Sequence, residues 1–297
     1  MHGRPGSDCL AYYCTPGTIS DPGEWGRWLE GLPTDLYELS RVVQGLLIHI
    51  LEARRYGVEL PEERRAEIEV GHVAGMIARL SHLDSRPLVA ERPPERRLVA
   101  TCHGYALLMC AALHHQGRPA RARPGFAAYL VPKRLIDHWV CEVWEPDRQQ
   151  WAMVDAQLDA VERQAYGICF DPCDVPSDQL VLAGRAWQET RAGRVEPQLF
   201  GFAKWWGWAY LRHQVLRDLF ALNKIELLPW SKSGLPEKDE QDTSEAERAT
   251  LDRIAALSLS GNCALPRVRS IHRRVIKLGS PPDWSPWQPE LVRADLR

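Results

Sequence analysis

Apolar positions in the early part of the chain recur at alternating steps of three and four. Leu36, Leu39, Val43, Leu46 and Ile50 form one such stripe, the pattern of an amphipathic helix. Thr34, just after Pro33, is placed to cap it. The apolar run 42–51, broken only by Gln44 and His49, reads as a core helix. A second helix is predicted from Pro61, a favoured first-turn residue, with the stripe Ala66, Val70, Val73, Ile77 and Leu80. Residues 85–97 are rich in Pro and Arg and read as a connecting loop. A third helix is predicted over 102–116, with Thr101 as cap and Gly117 just past its end. Its middle, 105–113, is almost wholly apolar, so it is expected to be central and buried.

The period then changes. Residues 120–131 have strand character, and 138–144 and 151–157 read as two strands joined by a turn over 146–150. Further on, 199–223 reads as an aromatic helix carrying Trp205, Trp206 and Trp208. A polar linker over 233–242 precedes Ser244 and Glu247, a capping box for a helix to about Leu257. The last thirty residues, with Trp284 and Trp287, are expected to wrap the surface.

A helix followed by a run of antiparallel strands argues for an α+β fold. Four regions are expected: a flexible segment 1–24, a helical region 25–97, a core 98–175, and a mostly helical, aromatic-rich extension 176–297 packed on it.

Composition adds exclusions. Of 297 residues, 45% are hydrophobic and 26% charged, the balance of a folded domain. A net charge of −2 gives no basic excess for nucleic acid. No leader-like apolar segment opens the chain and no run suits a membrane span, so a cytoplasmic protein without nucleic-acid or membrane partners is expected. Eight cysteines in this length are no disulfide scaffold and suggest a reducing compartment. Most are expected to be small buried side chains. Cys169 and Cys173 can be read as a metal pair, but no second ligand pair follows, and a loop is the plainer reading.

The chemistry centres on Cys102. At the first turn of a buried helix, a thiolate meets unpaired N–H groups and the positive end of the helix dipole. The same groups can stabilise an oxyanion. His138, at the start of the next predicted strand, is a candidate base, and Asp155 on the paired strand is a candidate orienting acceptor, opposite or diagonal to it. Singly, each has a plainer reading: inert packing, a satisfied polar residue, a turn former. Their order within 54 residues, Cys on a helix and then His and Asp on strands, favours a triad.

These blocks resemble the transglutaminase-like core domain, a papain-related family. The resemblance rests on Cys102-His103-Gly104-Tyr105-Ala106, Gly117-Arg118-Pro119-Ala120-Arg121, His138-Trp139-Val140 and Trp151-Ala152-Met153-Val154-Asp155, over roughly a fifth of the chain. Segments 170–187 and 200–230 are similar to a bacterial branch of that family. Many members have Arg-Asp after the Cys where this chain has His103-Gly104; the glycine variant also occurs. The resemblance implies a central Cys-bearing helix packed on an antiparallel sheet, with Cys102, His138 and Asp155 as catalytic residues. It implies acyl transfer through a thioester. The substrate is then a peptide, amide, ester or thioester, and the acceptor water or an amine. No cofactor or metal is required.

Neighbouring residues carry open alternatives. Tyr105 and Trp139 either cover the site or belong to the core. Asp137 either tunes His138, binds a substrate amine, or is an exposed loop residue, the plainest reading. Gln157 and Asp159 are candidates for the pocket mouth. His103 is expected at the surface, and His213, Arg217 and Asp218 as a surface ion-paired group. The aromatic C-terminal half suggests a partner or a homo-oligomer. Two further readings are a catalytically silent binding module and a zinc hydrolase using Cys102, His103 and His138. The second is disfavoured because adjacent helix residues rarely reach one ion.

Overall fold

The computed structural model describes residues 7–230, 243–260 and 267–270. Helix α1 (Ser7–Tyr13) and a 3-10 turn (Gly23–Leu29) lead to α2 (Leu36–Leu46) and β1 (Leu47–His49). Helices α3 (Glu62–Arg65) and α4 (Val73–Leu83) follow, then β2 (Leu98–Ala100) and α5 (Cys102–His115). Strands β3 (Ala120–Ala127), β4 (Leu135–Glu145) and β5 (Gln150–Val154) come next, then α6 (Ala160–Tyr166), β6 (Leu180–Leu182) and α7 (Ala183–Arg191). β7 (Phe200–Phe202), β8 (Trp205–Trp206), α8 (Trp208–Leu222) and α9 (Glu245–Ser258) complete the set.

The main sheet runs β6-β3-β4-β7-β8, with β5 also on β4. At eleven residues β4 is long enough to pair with β5 over Cys141–Glu145 and with β7 over Leu135–Ile136. The β4–β7 pairing is parallel, so the sheet is mixed where a purely antiparallel one was expected. Helix α5 is apolar all round because its middle is enclosed: it shares one core with α2, α4 and strands β3 to β5. A second core joins β3 and β7 to α7, α8 and α9, with Phe126 edge-on to Phe200 at 4.9 Å.

Several elements differ from expectation for identifiable reasons. The segment 7–24 is not loose: Tyr13 is buried and its hydroxyl donates to the Leu222 carbonyl at 2.8 Å. The first long helix is capped by Asp35, not Thr34, its carboxylate accepting from the Glu38 amide at 3.0 Å. That helix ends at Leu46, and Leu47–His49 forms a strand because β2 offers it a parallel partner. The helix from Pro61 is a single turn, Glu62–Arg65, that tightens into a 3-10 turn over Ala66–Glu69 and stops at Val70, and a separate helix starts at Val73. Trp205 and Trp206 lie on a hairpin strand rather than a helix, since Ala203 at φ 52° turns the chain and Gly207 at φ 83° starts α8. The capping box at Ser244 and Glu247 is present. The polar linker and the terminal tryptophans lie outside the described residues.

Cys9 is disulfide-bonded, whereas the described Cys14, Cys102, Cys110, Cys141, Cys169 and Cys173 are free. A stable bridge belongs to an oxidising setting, so the reducing compartment inferred from composition is carried no further. No described helix is long and apolar enough to cross a membrane.

Candidate active site

Strand β2 runs straight into α5, so Cys102 is the first residue of the helix, following Thr101 in extended conformation. Gly104 lets this first turn sit close to β2; a Cβ there would lie 3.0 Å from that of Ala100. The Thr101 side chain makes no capping bond, which leaves the first N–H groups of α5 for a ligand. Cys102 is 8% exposed.

His138 and Asp155 are each 1% exposed. Cys141 of β4 pairs with Val154 of β5. Carrying that register on places Asp155 diagonal to His138, within reach. His138 Nε2 lies 2.8 Å from Asp155 Oδ2. Nε2–H donates, so the lone pair of the neutral ring is on Nδ1, the atom left to take a proton, and Cys102 is close enough to act on the same ring. Burial alone would push the imidazole down. The Asp155 charge and hydrogen bond, followed by Cys102, more than offset it and hold His138 well above its ordinary value.

Asp155 is itself fixed on several sides. Oδ1 accepts from the Gln157 amide at 3.1 Å, and the Asp155 N–H donates to the Pro172 carbonyl at 2.8 Å. Oδ2 also accepts from the Tyr129 hydroxyl at 2.5 Å. The Tyr129 ring lies edge-on to His138, 5.9 Å between centroids. Burial and then the Asp155 charge push this phenol well above its usual value, so it stays a neutral donor. Tyr129 was not found from the sequence: it follows β3 in a loop, and no local spacing ties it to a residue 26 positions on.

The other sequence candidates take different places. Trp139 is buried, its indole edge-on to His103 at 4.8 Å. Tyr105 is buried in the field of Glu162, Tyr56 and Asp159. Asp137 is no exposed loop residue: it sits in β4, accepting from Tyr210 at 2.6 Å and pairing with Arg217 at 3.2 Å. Gln157 is buried behind Asp155, its amide donating to Glu162 at 2.9 Å. Asp159 caps α6 and accepts from Tyr56 at 2.8 Å. Tyr105, Trp139 and Gln157 are buried, while Asp137 and Asp159 keep partial exposure.

His103 is likewise buried rather than at the surface, with Nε2 2.8 Å from the Glu226 carbonyl, and burial pushes it down to about 4. Arg217 and Asp218 are fully buried. Asp218 pairs with Arg123, which also binds Glu142 at 2.6 Å. The surface reading of this group failed because its partners are distant in sequence. Cys169 and Cys173 lie on a loop, Cys173 against the Ser40 hydroxyl at 3.8 Å. Among the described residues no trio of His, Cys, Asp or Glu is arranged to hold a metal ion.

The arrangement offers a thiol at a helix start, an imidazole oriented by a buried carboxylate, and backbone N–H groups beside the sulfur. Together these suit attack on a carbonyl. Compared with models of known protein families, with characterised proteins and with solved structures, the chain matches none.

Proposed function

We propose that this protein performs cysteine-dependent acyl transfer in a transglutaminase-like, papain-related core. The observation that carries the reading is the buried Asp155–His138 hydrogen bond, with Cys102 at the start of α5 close enough to act on the same imidazole. The Cys102 sulfur attacks the carbonyl carbon of an amide, ester or thioester, and its proton passes to His138. As the carbon–leaving-group bond breaks, that proton goes to the departing amine, alcohol or thiol, and a thioester remains on Cys102. Water or an amine then adds, giving its proton to His138. The sulfur leaves and is protonated again. Asp155 holds the ring orientation and stabilises the imidazolium throughout.

The slight exposure of Cys102 favours an acyl group carried on a slender chain. The same closure supports a second reading, a silent binding module of this fold. Incubation with p-nitrophenyl acetate, followed by mass spectrometry of the intact protein and its peptides, separates the two. One acetyl group on Cys102, absent in Cys102→Ala and slowed in His138→Ala, is the expected result. A well-folded protein that never acquires the acyl group rules out acyl transfer.

A further inference from the structure

The end of β1 brings a second histidine to the site. His49 pairs opposite Ala100, and the Ile50 amide donates to the Ala100 carbonyl at 2.9 Å. Ala100 stands two residues before Cys102, so His49 is held beside the chain as it enters α5. The side chain is half-buried and within electrostatic reach of both His138 and Asp155.

Its protonation is set locally. His49 Nδ1 accepts from the Leu51 amide at 3.3 Å, and an accepting nitrogen carries no proton. The ring N–H is therefore on Nε2, and among the described residues nothing accepts from it. Burial pushes the imidazole down to about 4, against the opposing charge of Glu52. At neutral pH it is an uncharged donor. The mechanism above leaves it without a task, and the first turn of α5 beside it has N–H groups and no side-chain cap.

We propose that His49 is a further catalytic residue, whose Nε2–H donates to the oxyanion formed when Cys102 attacks the carbonyl, alongside the first N–H groups of α5. This inference rests on the acyl-transfer reading. When sulfur adds to carbon, the carbonyl π electrons move to oxygen. His49 lends a hydrogen bond to that oxygen and keeps its proton. The bond is released when the carbonyl reforms and the leaving group departs.

Two reactions at the same sulfur test the assignment. Iodoacetamide alkylation displaces iodide and forms no oxyanion at the reacting carbon. Acylation by p-nitrophenyl acetate passes through one. In His49→Ala, acylation of Cys102 is expected to fall about 10²-fold, the usual loss for one oxyanion donor, while alkylation is unchanged. His49→Gln, which keeps an N–H donor, is expected to recover most of the acylation rate. His49→Leu replaces the alanine variant should that one not fold. Acylation unchanged in the donor-less variant overturns the proposal. So does a parallel fall of both rates, the mark of a residue that only shapes the site. Wild type that is alkylated but never acylated at Cys102 is a separate result, which overturns the acyl-transfer reading and this role with it.

Discussion

Tyr129 and His138 converge on one atom, Oδ2 of Asp155, the phenol at 2.5 Å and the imidazole at 2.8 Å. The phenol takes a share of the carboxylate charge that would otherwise act on the imidazole alone. In Tyr129→Phe that share returns to His138, which is expected to titrate higher still. NMR titration of the His138 ring reads this directly, and an unchanged or lower midpoint contradicts the shared acceptor. The lost bond to a charged group should also cost about 1.5–3 kcal/mol of stability in urea denaturation.

Arg123 joins the sheet to the helices behind it. Its guanidinium, fully buried, binds Asp218 of α8 at 2.6 and 3.0 Å, Glu142 of β4 at 2.6 Å and the Ser258 carbonyl at the end of α9 at 3.1 Å. Burial works against its charge, but the two carboxylates hold it above its normal value. Arg123→Met leaves Asp218 buried without its counter-charge and is expected to cost about 3–5 kcal/mol. Arg123→Met with Asp218→Asn should recover part of the loss in a double-mutant cycle. A loss below about 1 kcal/mol, the range of a surface pair, contradicts the buried network.

Glu162 gives a pH-dependent expectation. Burial, then the charges of Glu52, Asp155 and Asp159, raise it to about 8, against the bond from Gln157. An unfolded glutamate titrates near 4.3. Between those values the folded chain keeps a proton that the unfolded chain has lost, so wild-type stability falls as pH rises through this window. Glu162→Gln cannot ionise. Gln157 Oε1, buried without a partner, can accept from the new amide after a flip of its own. The variant's advantage over wild type should grow from pH 4 to pH 8, to on the order of a few kcal/mol. Thermal melts across that range check it, and a difference independent of pH contradicts it.

The candidate site was readable in part because its first three members carry local signals. Cys102 follows a capping-type residue at the start of an apolar helix, and His138 lies on β4 while Asp155 directly follows its paired neighbour β5, so pairing brings them together. The residues that support them carry no such signal. His49 was hidden in an apolar run that reads as helix; only its parallel pairing with residues 98–100, some fifty positions away, makes it a strand. Asp137 and His103 looked exposed because Arg217 and Glu226, which bury them, are 80 and 123 positions distant. The tryptophan hairpin was missed for a backbone reason: a positive φ at Ala203, which sequence pattern does not announce. The central helix was located by its unbroken apolar run, 105–113, between Thr101 and Gly117, signals that are all local.

The central claim is that His138 activates Cys102. The direct measurement is the rate of iodoacetamide labelling of Cys102 from pH 5 to pH 9, read peptide by peptide, in wild type and His138→Ala. Cys169, exposed on its loop, is the internal standard for an unassisted thiol. Coupling to His138 requires that Cys102 label faster than Cys169 at the acid end, despite its burial, and that this advantage disappear in His138→Ala. Cys102 labelling more slowly than Cys169 throughout, with the same pH dependence in both proteins, would contradict the coupling and leave the binding-module reading.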